Sequence, residues 1–330
     1  MTGASSRWTW HGGGLSAAQA HYAPDASWLD LSTGINPHAW PHAESIRVDW
    51  RALPDEQALR DMAAAAALAF GCDPRHVCAV PGTEVGLRLV GDLLPGPAWH
   101  LAPTYRTHGE MVPTSCPIAD EDLHRANGAT LIVANPNNPT GRLTSRAGMM
   151  ALEAGRGGEG WLVVDEAFAD CHPEHSIAGE VNEDRRIVVF RSFGKFFGLA
   201  GLRLGFVIAP PCLAGQLRRR LGAWPVSAAA IAIGATAYRD LEWAGGMRAS
   251  LFAEAAELDR QLQARGYEAT GACPLFRLIR HDRAHALFEH LAERAILTRP
   301  FDGQASWLRI GLPAGPAELA RLLEALPANG

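Results

Sequence analysis

Between residues 76 and 208, short apolar runs alternate with stretches of helical periodicity, and this alternation limits the fold more than any other feature. The runs cover residues 76–80, 98–101, 130–134, 161–164, 186–190 and 204–208. Their apolar residues sit mostly on consecutive positions, as in strands buried on both faces. Helical patterns lie between them at 83–93 and 144–155, and an earlier one at 55–70 stops at Gly71. Strands covered on both faces and joined by helices predict an α/β fold with a mostly parallel, doubly wound sheet. From about residue 213 the pattern changes. Helices are predicted at 213–222, 227–239, 245–265, 284–293 and 316–326, and strands at 275–279, 295–298 and 307–310. This second part reads as a small α+β domain. The expected organisation is an N-terminal segment over 1–37 that packs with the small domain, a large domain over 38–235 and the small domain over 236–330. A chain of 330 residues, 48% hydrophobic, can bury both cores.

Composition narrows the function. A formal net charge of −5 supplies no global basic field for nucleic acid. The basic run Arg218-Arg219-Arg220 follows an apolar stretch and reads as a solvated helix face. Six cysteines, at 72, 78, 116, 171, 212 and 273, form no C-x-x-C pair. They read as free thiols in a reducing cytosol, so a cytoplasmic location is expected. Residues 1–14 lack the apolar core of a signal peptide. No uninterrupted apolar stretch reaches the roughly 18 residues of a membrane span. Cys171-His172-Pro173-Glu174-His175 gathers metal-binding side chains at irregular spacing; it reads as a surface loop, and no metal is expected. Gly12-Gly13-Gly14 follows no strand and is no dinucleotide fingerprint.

Six loops at predicted strand ends carry the chemistry, the place where ligands bind open α/β sheets. In Arg191-Ser192-Phe193-Gly194-Lys195-Phe196-Phe197-Gly198, one lysine sits among apolar and glycine residues, with Arg203 eight positions on. Apolar surroundings destabilise the charged amine and favour a nucleophile. Ser192 and Arg203 could bind a phosphate beside it. The combination suits a lysine that forms a Schiff base with pyridoxal 5'-phosphate (PLP). Asp165 ends an apolar run, where a carboxylate needs a cationic or proton-donating partner, and a protonated pyridine nitrogen is one. Glu166 beside it reads as structural. Pro81-Gly82-Thr83-Glu84 is either an anion-binding turn or an ordinary helix cap. Tyr105 either stacks on a flat ring or packs a strand end. Asn135-Pro136-Asn137-Asn138-Pro139-Thr140-Gly141 is a run of turn-formers after an apolar strand. Arg309, in the apolar segment Trp307-Leu308-Arg309-Ile310-Gly311, needs an anion, either a substrate group or an internal carboxylate.

The order of these six segments, with N-P-x-N-P-T-G and S-x-x-K-x7-R, resembles the fold-type I PLP enzymes of the aspartate-aminotransferase superfamily. The likeness runs from about residue 30 to 311. It implies Lys195 as the cofactor-bonding lysine and Asp165 as the partner of the pyridine nitrogen. It implies Asn138 on the phenolic oxygen and Tyr105 on the ring face. Gly82, Thr83, Glu84, Ser192 and Arg203 fall around the cofactor phosphate turn, and Arg309 at the substrate's acidic group. A homodimer is the implied assembly.

Three departures narrow the resemblance. Phe168 stands where many aminotransferases have a tyrosine. Leu53-Pro54 replaces the Tyr-Pro that reaches a partner's cofactor in many relatives. Trp10-His11-Gly12-Gly13 and Asp30-Leu31-Ser32-Thr33-Gly34-Ile35-Asn36-Pro37 are similar to segments of the cobalamin-pathway threonine-phosphate decarboxylases. That family implies decarboxylation of L-threonine O-3-phosphate; cations can grip the substrate phosphate, and Arg309 and Arg299 are the candidates, with His11 and Asn36 as further candidates at the same site. Histidinol-phosphate aminotransferase, or a related class I/II aminotransferase, is the alternative. A PLP-binding regulator without catalysis is a more remote one.

Overall fold

A computed structural model describes residues 6–22 and 25–328. It divides into two compact units, one formed by Ala39–Gly245 and one by the described parts of Met1–His38 and Gly246–Gly330. Residues 1–5 and 23–24 of the expected N-terminal segment lie outside the described residues. In chain order the strands are β1 (Leu29–Asp30), β2 (Val77–Val80), β3 (Ala98–Leu101), β4 (Ser115–Ile118), β5 (Thr130–Ala134), β6 (Leu162–Asp165), β7 (Ile187–Ser192), β8 (Gly205–Ile208), β9 (Ala269–Thr270), β10 (Phe276–Arg280), β11 (Ile296–Leu297), β12 (Arg299–Pro300) and β13 (Trp307–Gly311).

The larger unit is built on a seven-stranded sheet of order β2-β8-β7-β6-β5-β3-β4. Six strands run one way, and β8 runs against its neighbours β2 and β7. This is the α/β architecture that the apolar runs predict. β5, β6, β7 and β8 are buried along their whole length. One face packs Val80, Ile132, Val163, Val188, Phe190 and Val207 against Leu87 and Val90 of the helix Thr83–Gly91. Each such side chain contributes about 1.5–3 kcal/mol when fully buried. The strands are therefore fixed by their middles, and their ends can carry polar residues. The helix Glu56–Phe70 starts on Asp55, whose side chain accepts from the Ala58 amide, and ends at Gly71 with φ +68°. β4 is absent from the sequence prediction. It is an edge strand with Pro117 in it and two exposed residues, so it shows no apolar run.

The smaller unit has an antiparallel sheet of order β12-β13-β10-β9 and a parallel pair, β1 with β11. The strand expected over 295–298 is the two-residue β11, which pairs with β1; β12 follows just beyond it and pairs with a different partner, β13. The segment after β1 is tied back to the sheet, since the Gly311 amide donates to the Leu31 carbonyl at 2.7 Å.

Candidate active site

All six unusual segments except that of Arg309 meet one edge of the seven-stranded sheet. β2, β3, β5, β6 and β7 end there, and β8 begins there because it runs the other way. The register aligns them in rows: Val80 and Ser192 both pair with Gly205, and Ala134 and Phe190 both pair with Asp165.

Asp165 is the last residue of β6 and is 7% exposed. One carboxylate oxygen accepts from the Ala167 amide at 3.0 Å. The other lies 3.0 Å from Nε2 of His108, which is fully buried. A carboxylate only accepts, so the ring nitrogen facing it carries hydrogen. His108 Nδ1 lies 2.8 Å from Thr104 Oγ1, and that hydroxyl donates to Asn137 Oδ1 at 3.2 Å. His108 is thus a site residue that the sequence alone does not single out. Its only signal is position, three residues after Tyr105 on the short helix Arg106–Glu110.

The asparagines of the turn-rich loop divide their tasks. Asn135 holds Thr144 through both its amide atoms, donating to the Thr144 carbonyl at 2.9 Å and accepting from its amide at 2.8 Å. Asn137 donates to the Pro103 carbonyl at 3.0 Å and to Thr140 Oγ1 at 2.8 Å. These bonds fix the loop on which half-buried Asn138 sits.

Gly82 caps the helix Thr83–Gly91 with φ +90°, and a Cβ there would lie 2.5 Å from Arg203 Nη2. Only glycine allows both that backbone and that guanidinium approach. The free amides of the helix start and the Arg203 charge therefore share one place, the makings of an anion site. Ser192, 9% exposed, ends β7 opposite the same turn through its pairing with Gly205. Lys195 follows on the four-residue helix Phe193–Phe196 and is half-buried. Its Nζ lies 5.7 Å from the centre of the Phe168 ring. Tyr105 donates its hydroxyl to Glu84 Oε2 at 3.0 Å. Burial and the Glu84 charge push the Tyr105 phenol up to about 12, so it stays protonated and donating.

Behind this edge lies a buried charge network. Glu166 is fully buried and accepts from Ser176 Oγ and, at 2.8 Å, from the Ile177 amide. Arg191 Nη1 lies 3.3 Å from Glu166 Oε2, and Arg191 Nη2 donates to Asp170 Oδ1. Burial disfavours the Arg191 charge, but Asp170 and Glu166 outweigh it and hold the guanidinium above its ordinary pKa. Replacing Arg191 with alanine strands two carboxylates beside the residues that follow β6. We expect a loss of about 3–5 kcal/mol in urea unfolding; an unchanged midpoint would refute this account. The neighbouring Cys171-His172 pair is buried at 2% and 6% exposure. The surface-loop reading therefore holds for Pro173 and Glu174, which are exposed, and for partly exposed His175. Among the described residues no group of three or more His, Cys, Asp or Glu could hold a metal. The Arg218-Arg219-Arg220 run is an exposed helix face, as its sequence implies.

The remaining predicted site residues belong to the smaller unit. Arg309 is 2% exposed and Arg299 is 9% exposed, and the two pair directly across β12 and β13. Burial, and Arg299 beside it, push the Arg309 guanidinium well below its ordinary pKa. Arg309 Nη2 donates to the Ser32 carbonyl at 2.8 Å. That same oxygen lies 2.3 Å from where a Cβ on Gly12 would sit, so the glycine after His11 is required by close approach. The Gly13 amide donates to Ser32 Oγ at 2.8 Å, which places His11-Gly12-Gly13 against the Asp30–Pro37 segment. His11 itself is exposed and edge-on to Trp10. Asn36 is buried, and its Oδ1 accepts from the His38 amide at 2.9 Å.

Residues 118–326 match the family model for aminotransferase class I and II. The chain belongs to that family. The family span includes Asn138, Asp165, Lys195 and Arg203 of the larger unit and Arg299 and Arg309 of the smaller; Gly82, Tyr105 and His108 precede it. The chain is 40% identical to a threonine-phosphate decarboxylase from Sinorhizobium sp, across 96% of this chain and 97% of that protein. It is 34% identical to a histidinol-phosphate aminotransferase from Rhodospirillum centenum, but across 54% of this chain and 55% of that one. The solved structure of L-threonine-O-3-phosphate decarboxylase from Porphyromonas gingivalis aligns with a TM-score of 0.77 at 19% identity, covering 90% of this chain and 98% of the other. That likeness is one of fold.

Proposed function

We propose that the protein is a PLP-dependent carboxy-lyase that converts L-threonine O-3-phosphate to CO2 and (R)-1-amino-2-propanol O-2-phosphate, a step of cobalamin biosynthesis. The observation that carries the substrate is the Arg299–Arg309 pair. Two buried guanidiniums directly opposed on neighbouring strands repel each other, and a phosphate dianion offsets both. The 40% identity to a decarboxylase across 96% of the chain, against 34% across 54% and 29% across 90% for two histidinol-phosphate aminotransferases, points the same way.

The donor set of the larger unit fits PLP. A glycine cradle at Gly82, with the helix start, Thr83, Ser192 and Arg203, would hold its phosphate. Asp165, braced by His108, would hold the pyridine nitrogen, Asn138 the phenolic oxygen and Tyr105 a ring face. Lys195 is the only lysine in the chain, and every other Lys/Arg cation is an arginine. Arginine stays charged in proteins, so this one position keeps the side chain whose amine can shed its proton. Bound there, PLP would take up the electron pair left on Cα as the carboxylate departs.

The chain's own residues then have distinct tasks. Lys195 Nζ would bond the cofactor and afterwards carry a proton to Cα in place of CO2. Phe168 gives the amine an aromatic face and, unlike tyrosine, no hydroxyl. Arg309 and Arg299 would grip the substrate phosphate, with His11 and Asn36 at the same end. Fixing that distant group fixes rotation within the substrate, and rotation selects which bond at Cα breaks. The purified protein should release one CO2 per threonine phosphate without any keto acid. Turnover that requires 2-oxoglutarate and histidinol phosphate would show an aminotransferase instead.

The same reading includes a cytoplasmic homodimer. The six free thiols suit a reducing compartment. Trp50, Leu53, Leu68 and Trp224 are exposed on the larger unit, large apolar groups that a subunit contact would cover.

A further inference from the structure

We propose that Glu84 is a positioning residue: it fixes Tyr105 at a set distance from the Gly82-Thr83 turn, and so sets the spacing between the phosphate anchor and the ring anchor of the bound cofactor. This rests on the PLP reading above. Glu84 is the second residue of the helix Thr83–Gly91, one position beyond the phosphate turn. Its carboxylate is directed at the segment that carries Tyr105. Oε2 accepts from Tyr105 Oη at 3.0 Å and from Thr107 Oγ1 at 2.8 Å. Oε1 accepts from Arg88 Nε at 3.1 Å. Arg88 Nη2 donates onward to Glu110 Oε2 at 2.6 Å, and Glu110 also receives Arg106.

Three donors on one carboxylate leave it little rotational freedom. Two of them come from residues 105 and 107, so the helix start and the segment after β3 are tied through the Tyr105 and Thr107 hydroxyls. The bond is made at the far end of the Tyr105 ring, where a hydroxyl controls ring tilt more than contacts near Cβ can. Arg88 completes the arrangement by balancing an anion that would otherwise oppose a phosphate at Thr83. Glu84 thus acts through Tyr105.

The sign of the effect separates this role from a bystander charge. Removing a carboxylate that merely sits near a phosphate site tightens phosphate binding, whereas removing a positioning group weakens it. The test is a double-mutant cycle on the full chain with Glu84→Ala, Tyr105→Phe and the pair, titrating apo-protein with PLP and recording apo melting temperatures. Glu84→Ala should weaken PLP binding roughly tenfold, Tyr105→Phe roughly fivefold, and the pair about tenfold, because both remove one interaction. Glu84→Gln keeps a carbonyl acceptor and should recover most of the affinity; if the alanine variant does not fold, Glu84→Met, which removes the acceptor and keeps the side-chain length, completes the cycle with Tyr105→Phe. Tighter binding in Glu84→Ala, or effects that multiply in the pair, overturn the inference while leaving the cofactor reading intact. A wild-type chain that takes up no PLP overturns both.

Discussion

Replacing Lys195 with alanine should slow CO2 release from threonine phosphate by about 10³-fold or more, the scale of a lost acid–base group with its covalent role added. The variant should also lose all borohydride-fixed cofactor on side chains. Because Lys195 is the chain's only lysine, no neighbouring side-chain amine can replace it, and the peptide map has one expected site. The fold should tolerate the change. Lys195 is half-buried, and its contact with the Phe168 ring is worth roughly 1 kcal/mol. Retained PLP binding with no covalent adduct is therefore the expected result. A rate within tenfold of wild type would remove Lys195 from the mechanism.

The second large effect is at Asp165. Asp165→Ala should lower kcat by about 10²–10³-fold, as when a preorganised charge facing a developing charge is removed. It also deprives buried His108 of its carboxylate. His108→Phe tests the bracing separately: losing one charge-assisted hydrogen bond costs about 1.5 kcal/mol, roughly tenfold. The two changes should not add, since His108 acts only through Asp165. Single-turnover CO2 release gives both numbers, and additive losses would show that His108 has a task of its own.

Lys195 and Asp165 are legible in the sequence because each is chemically misplaced: an amine and a carboxylate where apolar residues surround them. The strands are legible for a related reason, since β5 to β8 are buried along their length and read as unbroken apolar runs. His108 is not legible. A histidine in Arg106-Thr107-His108-Gly109 looks like any on a short exposed helix, and its burial depends on β6 two strands away, beyond β5. Arg191 is hidden in another way. It stands inside the Lys195 segment as one more cation, and its partners Glu166 and Asp170 come from the preceding strand's exit. Glu84 likewise reads as part of an anion-binding turn, and only its bonds to Tyr105 and Thr107 show the direction it faces. That β11 ends at Leu297 and a separate strand, β12, starts at Arg299 depends on partners far away in the chain, information that a local pattern lacks.

The reversed strand β8 has a consequence for how this site tolerates change. Most of its loops are joined by helices that run back along the sheet, and such connections absorb insertions without moving the strand ends. The stretch from Ser192 to Gly205 makes no return journey: it leaves β7 and enters β8 at the same edge, with its two ends paired to each other. It is a closed span, and its length is itself a dimension of the site. A residue added between Lys195 and Arg203 would displace the amine from the guanidinium directly. The interval of seven residues between them is a ruler held at both ends, whereas residues added in the exposed stretch 182–184, between Asp165 and Lys195, would leave both in place.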